Sequence, residues 1–393
     1  MTLEDRWQAV MMPNYGTPPL ALDRGVGVRV WDVEGNEYLD YVGGIAVSSL
    51  GHAHPAIVAA VTEQVGKIAH TSNLYLHEPG VRLAERLVGL LDAPARVFFA
   101  NSGAEANECG VKLARKHGHA LDGRTEVVAA HNGFHGRTLG ALSITGTAAK
   151  REPFEPLPGP VTFVDYGDQA ALRAAVGPRT AALFLEPTLG EGGVVPPPAG
   201  YLQLARELCD AAGALLVIDE VQSGIGRTGH WFASRAEGVR PDVITLAKGL
   251  GGGLPIGACI GVGAAGELFA PGDHGSTFGG NPVSCAAALA VIDTIADQHL
   301  LDQVKRVGAH LADGLDAIDS PLVADSRGTG LWRALALTGP HAAAIEVAAR
   351  KNGLLVNAVK PDAIRFAPPL ILTEADVDEA LPKLVAAIAE VSA

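Results

Sequence analysis

The chain has 393 residues, which at about 150 residues per domain points to two or three domains; 48% are apolar and 19% charged, so a large core forms and intrinsic disorder is excluded. The formal charge of −13, with no basic run or basic amphipathic helix, excludes nucleic acid as an expected partner. Cys109, Cys209, Cys259 and Cys285 form no CxxC and have no neighbouring histidine at metal-ligand spacing, so they read as reduced core residues of a cytoplasmic protein with no metal site.

From the amino terminus, Met1 to Trp7 carry two acids and no apolar h-region, so no secretory signal is expected. Residues 28–32 and 37–41 flank Val33-Glu34-Gly35-Asn36 and predict a β-hairpin. Between about 54 and 265, helical patterns alternate with the apolar runs 96–100, 126–130, 181–185, 214–218, 243–246 and 258–262. This pattern predicts an α/β fold whose mainly parallel sheet is covered by helices on both faces. The uncharged stretch between Lys248 and Glu267 is long enough for a membrane span. Gly249, Gly251, Gly252, Gly253, Pro255 and Gly257 break any apolar helix there, so no membrane partner is expected.

Beyond 281 the pattern changes to helices over 281–295 and 300–318, two short strands near Leu331 and Leu355, and a helix over 373–391. The domains expected are an amino-terminal segment over 1–53 that packs with the small domain, a large domain over 54–280, and a small α+β carboxy-terminal domain over 281–393.

In an open α/β sheet, ligands meet the residues just after the strands. Asn101-Ser102-Gly103-Ala104-Glu105-Ala106-Asn107 leaves the first run as a Gly turn into an Ala-rich helix, a start suited to phosphate; the bland reading is a Ser102–Glu105 capping box. Asp219 ends a buried run, so alternation puts Asp219 and Val221 on one side and Glu220 on the other. One acid can meet a ligand cation while Val221 packs on a flat ring; the competing reading is a structural ion pair or cap.

Lys248 ends another apolar run before a glycine-rich stretch, and lysine is scarce, with 9 residues against 21 arginines. Desolvation lowers the pKa of such an amine toward Schiff-base chemistry, unless the lysine simply snorkels. Asn132-Gly133-Phe134-His135-Gly136-Arg137-Thr138 offers an aromatic for stacking and an arginine for a carboxylate, and Gly275-Ser276-Thr277-Phe278 places hydroxyls in a Gly loop. Gly224 to Gly229 spells G-x-G-x-x-G. No strand enters its first glycine and no matching helix follows, so a nicotinamide cofactor is disfavoured.

A phosphate cup, an acid, a strand-end lysine, a stacking aromatic and an arginine clamp together fit pyridoxal phosphate. With Asn101 to Asn107, Gly133 to Thr138, Asp219-Glu220-Val221-Gln222-Ser223-Gly224 and Ser276 to Pro282, the chain resembles the class III aminotransferases of fold type I over nearly its whole length. That resemblance implies a seven-stranded sheet in the large domain. It also makes Lys248 the lysine that carries the cofactor and then shuttles a proton, and Asp219 the partner of the pyridinium nitrogen.

By the same resemblance, Ser102, Gly103 and Ala104 bind phosphate, Phe134 stacks on the ring, Gln222 reaches its phenolic oxygen, and Thr277 binds phosphate across a subunit boundary, which implies a homodimer. Arg137 and Ser276 meet substrate. Arg365 takes the α-carboxylate of glutamate once its partner Glu191 swings away. Leu189 departs from the family, which often has Gln there, and puts hydrogen bonding of the 186–191 loop in question.

Gly43 to Val47 and Arg29-Val30-Trp31-Asp32 are most similar to the acetylornithine branch, which transfers a δ-amino group to 2-oxoglutarate. Ornithine, 4-aminobutyrate and N-succinyl-diaminopimelate are the near alternatives, with Asn14, Tyr15, Arg29 and Ser276 as candidate discriminators. A cofactor-binding regulator lacks the expected basic DNA-binding extension, and an NAD-dependent oxidoreductase leaves Lys248 without a role.

Overall fold

After an amino-terminal helix, Leu3–Val10, come three short strands: β1 (Leu22–Val26), β2 (Arg29–Asp32) and β3 (Glu37–Asp40). They belong to a computed structural model that describes residues 2–392. The predicted hairpin is β2–β3, closed where Asp32 Oδ1 accepts from the N–H groups of Glu34 and Asn36 at 3.1 and 2.8 Å. The sequence reading did not expect β1; four of its five residues are exposed, so no apolar alternation announces it.

The apolar runs become β4 (Ala95–Ala100), β5 (Glu126–Ala130), β7 (Thr180–Leu185), β8 (Leu215–Asp219), β9 (Val243–Leu246) and β10 (Gly257–Val262). One more strand, β6 (Val161–Val164), joins them at the sheet edge, with three of its four residues only half-buried. The sheet has seven strands in the order β4-β10-β9-β8-β7-β5-β6, with only β10 running against its neighbours. All residues of β7, β8 and β9 are buried, as expected of strands covered on both faces.

The orientation of β10 matters for the site. Gly257 pairs with Ala100, so the start of β10 lies at the edge where β4 ends. Residues preceding β10 therefore join the residues following the parallel strands.

The carboxy-terminal third is richer in strand than expected. Instead of two short strands it holds β11 (Val323–Thr329), β12 (Trp332–Leu337), β13 (Leu354–Leu355), β14 (Asn357–Lys360) and β15 (Ala363–Phe366). Four of these form the antiparallel sheet β11-β12-β15-β14, and β13 lies parallel to β3. Half-exposed stretches such as Val-Ala-Asp-Ser-Arg-Gly-Thr acquire strand geometry from their partners, which local sequence does not show.

Helices Pro282–Asp297, Leu300–Asp316, Ala342–Lys351 and Glu374–Ser392 cover this part. One apolar core runs from Leu39 and Tyr41 through Ile364 and Phe366 to Leu246 and Leu250. Among the described residues, no helix is long and apolar enough to cross a membrane.

Candidate active site

A cavity of about 460 Å³ opens at the ends of the central strands. Ser102, Gly103, Ala104, Phe134, Arg137, Asp219, Val221, Gln222 and Lys248 all line it, although they come from segments far apart in the chain. Gly253 to Ile256, just before β10, complete the wall.

At one side stands the helix Gly103–Ala120, 18 residues long. Ser102 Oγ accepts from Glu105 N–H at 3.2 Å, and Glu105 Oε2 reaches back to Asn101, taking its backbone N–H at 3.0 Å and its side-chain amide at 2.7 Å. The cap reading is therefore half right: Ser102 caps, but Glu105 closes on Asn101. The first intrahelical bond runs from Ala106 N–H to Ser102 O, so the N–H groups of Gly103 and Ala104 remain free on the cavity wall.

Gly103 has no room for a side chain, because a Cβ there would lie 2.7 Å from Val221. Gly136, with φ of +143°, lets its loop press against the same helix start; a Cβ would meet Ala104 at 2.7 Å.

Asp219 is buried at the end of β8. Its Oδ2 accepts from Asn107 Nδ2 at 2.7 Å and from His135 Nδ1 at 2.8 Å, and its Oδ1 accepts from Val221 N–H at 2.9 Å. Burial opposes charge on His135, but the hydrogen bond and charge of Asp219 prevail and its pKa is raised. Glu220 points the other way, as strand alternation requires, and is tied to Ser223, Ala233 and Ser234.

Lys248 follows β9 with φ of +42°, a left-handed conformation that costs a non-glycine residue about 1–3 kcal/mol. Burial, then the nearby Arg365, push its amine down to about 8, against the opposing pull of Glu191, Asp219 and Glu186. A sizeable neutral fraction near neutral pH makes this amine a nucleophile.

Arg365, on β15, is buried and donates from Nη1 to Glu191 Oε1 at 2.6 Å and Gln222 Oε1 at 3.0 Å, and from Nη2 to Asn357 Oδ1 at 2.7 Å. The Gln222 amide nitrogen is thereby left for the cavity. Burial would raise Glu191, but Arg365 outweighs it and holds the carboxyl below its ordinary range. Neither Glu191 nor Arg365 is part of the cavity wall itself.

Ser276 and Thr277 also lie off that wall. Ser276 Oγ accepts from Asn101 Nδ2 at 3.2 Å and Gly279 N–H at 2.9 Å, while Thr277 is exposed. Asn14 and Tyr15 are exposed and do not reach the cavity. Arg29 sits on β2, paired with Glu37 and Glu379 at 2.6 Å each, and likewise does not line the cavity.

The 186–191 loop is secured despite Leu189, which is buried and bridges Val195 through its backbone at 2.9 and 3.0 Å. The G-x-G-x-x-G run forms turns away from the cavity, where Arg227 donates to the carbonyls of Leu331 and Pro368.

Asn107, His135 and Glu186 are site residues to which the sequence reading gave no role. Asn107 is one helical turn beyond Gly103, and Glu186 directly follows an apolar run, so the spacing carried a signal for both.

The donor set fits pyridoxal phosphate. Free helix N–H groups and a hydroxyl suit its phosphate, the buried carboxylate suits its ring nitrogen, and the space between Phe134 and Val221 suits a flat ring.

The class-III aminotransferase family model matches residues 10–388. Among relatives, the acetylornithine aminotransferase of Mycolicibacterium smegmatis is 57% identical over 99% of this chain and 100% of its own length. That of Streptomyces coelicolor is 57% identical over 96% of this chain and 93% of its own. The ornithine aminotransferase of Toxoplasma gondii superposes with a TM-score of 0.94 at 32% identity, covering 100% of this chain and 96% of that one. The ω-transaminase of Pseudomonas jessenii in complex with PMP gives 0.94 at 29%, covering 100% and 98%. The chain belongs to the class-III aminotransferases, pyridoxal-phosphate-dependent transaminases with an α/β fold.

Proposed function

We propose that the chain transfers the δ-amino group of N2-acetyl-L-ornithine to 2-oxoglutarate, giving N-acetyl-L-glutamate 5-semialdehyde and L-glutamate in arginine biosynthesis. The observation that carries the reading is the Arg365–Glu191 pair beside the lysine-bearing cavity, because a removable carboxylate suits an enzyme that takes two unlike substrates in turn. Support for the donor comes from full-length relatives at 57–58% identity that bear the name acetylornithine aminotransferase.

Pyridoxal phosphate, when bound, supplies an electron sink for negative charge developing next to the transferred nitrogen. Ser102, Gly103 and Ala104 would hold its phosphate, Phe134 and Val221 its two faces, Asp219 its ring nitrogen and Gln222 its phenolic oxygen. Lys248 would hold the group through its amine and, once displaced by a substrate amine, carry the proton between carbon atoms. Asn107 and His135 hold Asp219 in orientation through its Oδ2. Arg137 would bind the carboxylate of the amine donor, with Ser276 close to the substrate.

Glu191 covers Arg365 while the donor reacts and yields it to the α-carboxylate of glutamate or 2-oxoglutarate. Charge-assisted bidentate pairing makes that exchange favourable.

Thr277 would reach the phosphate held by a second copy of the chain, making the enzyme a homodimer. Exposed Leu74, Tyr75, Leu76 and Phe278 support this, since Asn73 and His70 tie that segment to the Thr277 loop. Four buried unpaired cysteines suit a reducing cytoplasm.

The test is a single-turnover spectrum of the holoenzyme without keto acid. Loss of the visible cofactor band with N2-acetylornithine well before ornithine or 4-aminobutyrate is expected. Equal or faster loss with either competitor overturns the donor assignment.

A further inference from the structure

We propose that Glu186 is a positioning residue that sets both Phe134 and the Glu191 gate through one carboxylate; the gate half rests on the Arg365 exchange read above. Glu186 directly follows β7 and is 5% exposed on the cavity wall. Its Oε1 accepts from the Phe134 N–H at 2.8 Å and its Oε2 from the Gly190 N–H at 3.0 Å. Phe134 faces the cavity, and Gly190 immediately precedes Glu191, the residue that covers Arg365. A single side chain therefore ties the ring-facing loop after β5 to the gate loop after β7.

Two N–H donors need two acceptor oxygens. An ionised carboxylate supplies both, whereas an amide or a protonated acid turns one of them into a competing donor and loosens one loop. The groups facing Glu186 from neighbouring elements are His135, Asp219, Tyr166, Lys248 and Lys150. Burial pushes its carboxyl up to about 7, with Asp219 adding to the rise and His135 and the two N–H groups opposing it. The clamp is complete above that value and is released as the pH falls through it. Substrate recognition at Arg365 is thus coupled to ring placement through one proton.

Glu186→Gln holoenzyme is the test. The expected result is a KM for 2-oxoglutarate raised about tenfold, a smaller change for the amine donor, and altered visible circular dichroism of the bound cofactor. In the wild type, kcat/KM for 2-oxoglutarate rises between pH 6 and 8 with a midpoint at about 7, and the variant loses that limb. A folded, cofactor-loaded Glu186→Gln with unchanged KM, dichroism and pH profile overturns the proposal.

Should that variant not fold, the wild type still decides. Its cofactor dichroism changes between pH 8 and 6 if the clamp opens, and a flat signal overturns the proposal. Glu191→Gln separates the two readings: unchanged glutamate kinetics there sink the gate, while the dichroism of Glu186→Gln still reads the placement of Phe134.

Discussion

Asn107 donates from Nδ2 to Oδ2 of Asp219 at 2.7 Å, and its own amide oxygen is fixed by Thr245 Oγ1 at 2.8 Å. With His135 on the same oxygen, Asp219 Oδ2 is fully engaged, and Oδ1 retains capacity toward the cavity. Asn107→Ala is expected to lower kcat/KM by about 10- to 100-fold with both substrates and to weaken cofactor binding, as loss of an orienting partner usually does. Steady-state kinetics and cofactor titration of the apoenzyme check this; normal values for both would mean that Asp219 needs no such support.

Lys248 is predicted to be indispensable. Lys248→Ala should lose the visible band of lysine-bound cofactor and reduce turnover by about a thousandfold or more, because both a nucleophile and a proton carrier disappear. Retained turnover with an unchanged band would remove Lys248 from the chemistry.

The Arg365–Glu191 pair gives a pH prediction with a definite sign. Because Glu191 has a folded pKa below its unfolded value, its contribution to stability is complete above the ordinary glutamate pKa of about 4.3 and is lost as pH falls through the lowered folded value. The Tm difference between wild type and Glu191→Gln should be constant near neutrality and shrink in acid. Arg365→Leu should raise the KM for 2-oxoglutarate far more than that for the amine donor, and equal effects on both would count against the gate.

Adjacent acids should behave differently. Glu220 is 1% exposed and accepts from Ser223 Oγ, Ala233 N–H, Ser234 N–H and Ser234 Oγ at 2.6–3.0 Å. Glu220→Ala strands several buried donors and should cost about 2–4 kcal/mol of stability, read by denaturant unfolding. Asp219→Ala should instead act mainly on cofactor binding and rate.

Arg29 offers a control. Its surface pairs with Glu37 and Glu379 are worth about 1 kcal/mol or less, so Arg29→Ala should leave substrate preference unchanged. A shift in the ratio of acetylornithine to ornithine turnover would identify it as a discriminator.

The sequence by itself determined the alternation of buried strands and helices, because strands covered on both faces must be apolar throughout and so stand out as runs. It also marked Asp219, Lys248 and the Ser102 helix start, since a charge or a glycine turn at the end of such a run is costly without a purpose. Edge strand β6 and the exposed β1 carried no such pattern and were invisible.

Only the tertiary structure decided which of these residues meet. The bonds of Asn107 and His135 to Asp219, and of Glu186 to Phe134, join positions dozens of residues apart. Burial in the assembled core, not the local sequence, pushes Lys248 down and Glu186 up. Arg29 shows the converse: a position suggestive in sequence is engaged by Glu37 and Glu379 and does not line the cavity, because the direction of a side chain is fixed by the sheet that carries it.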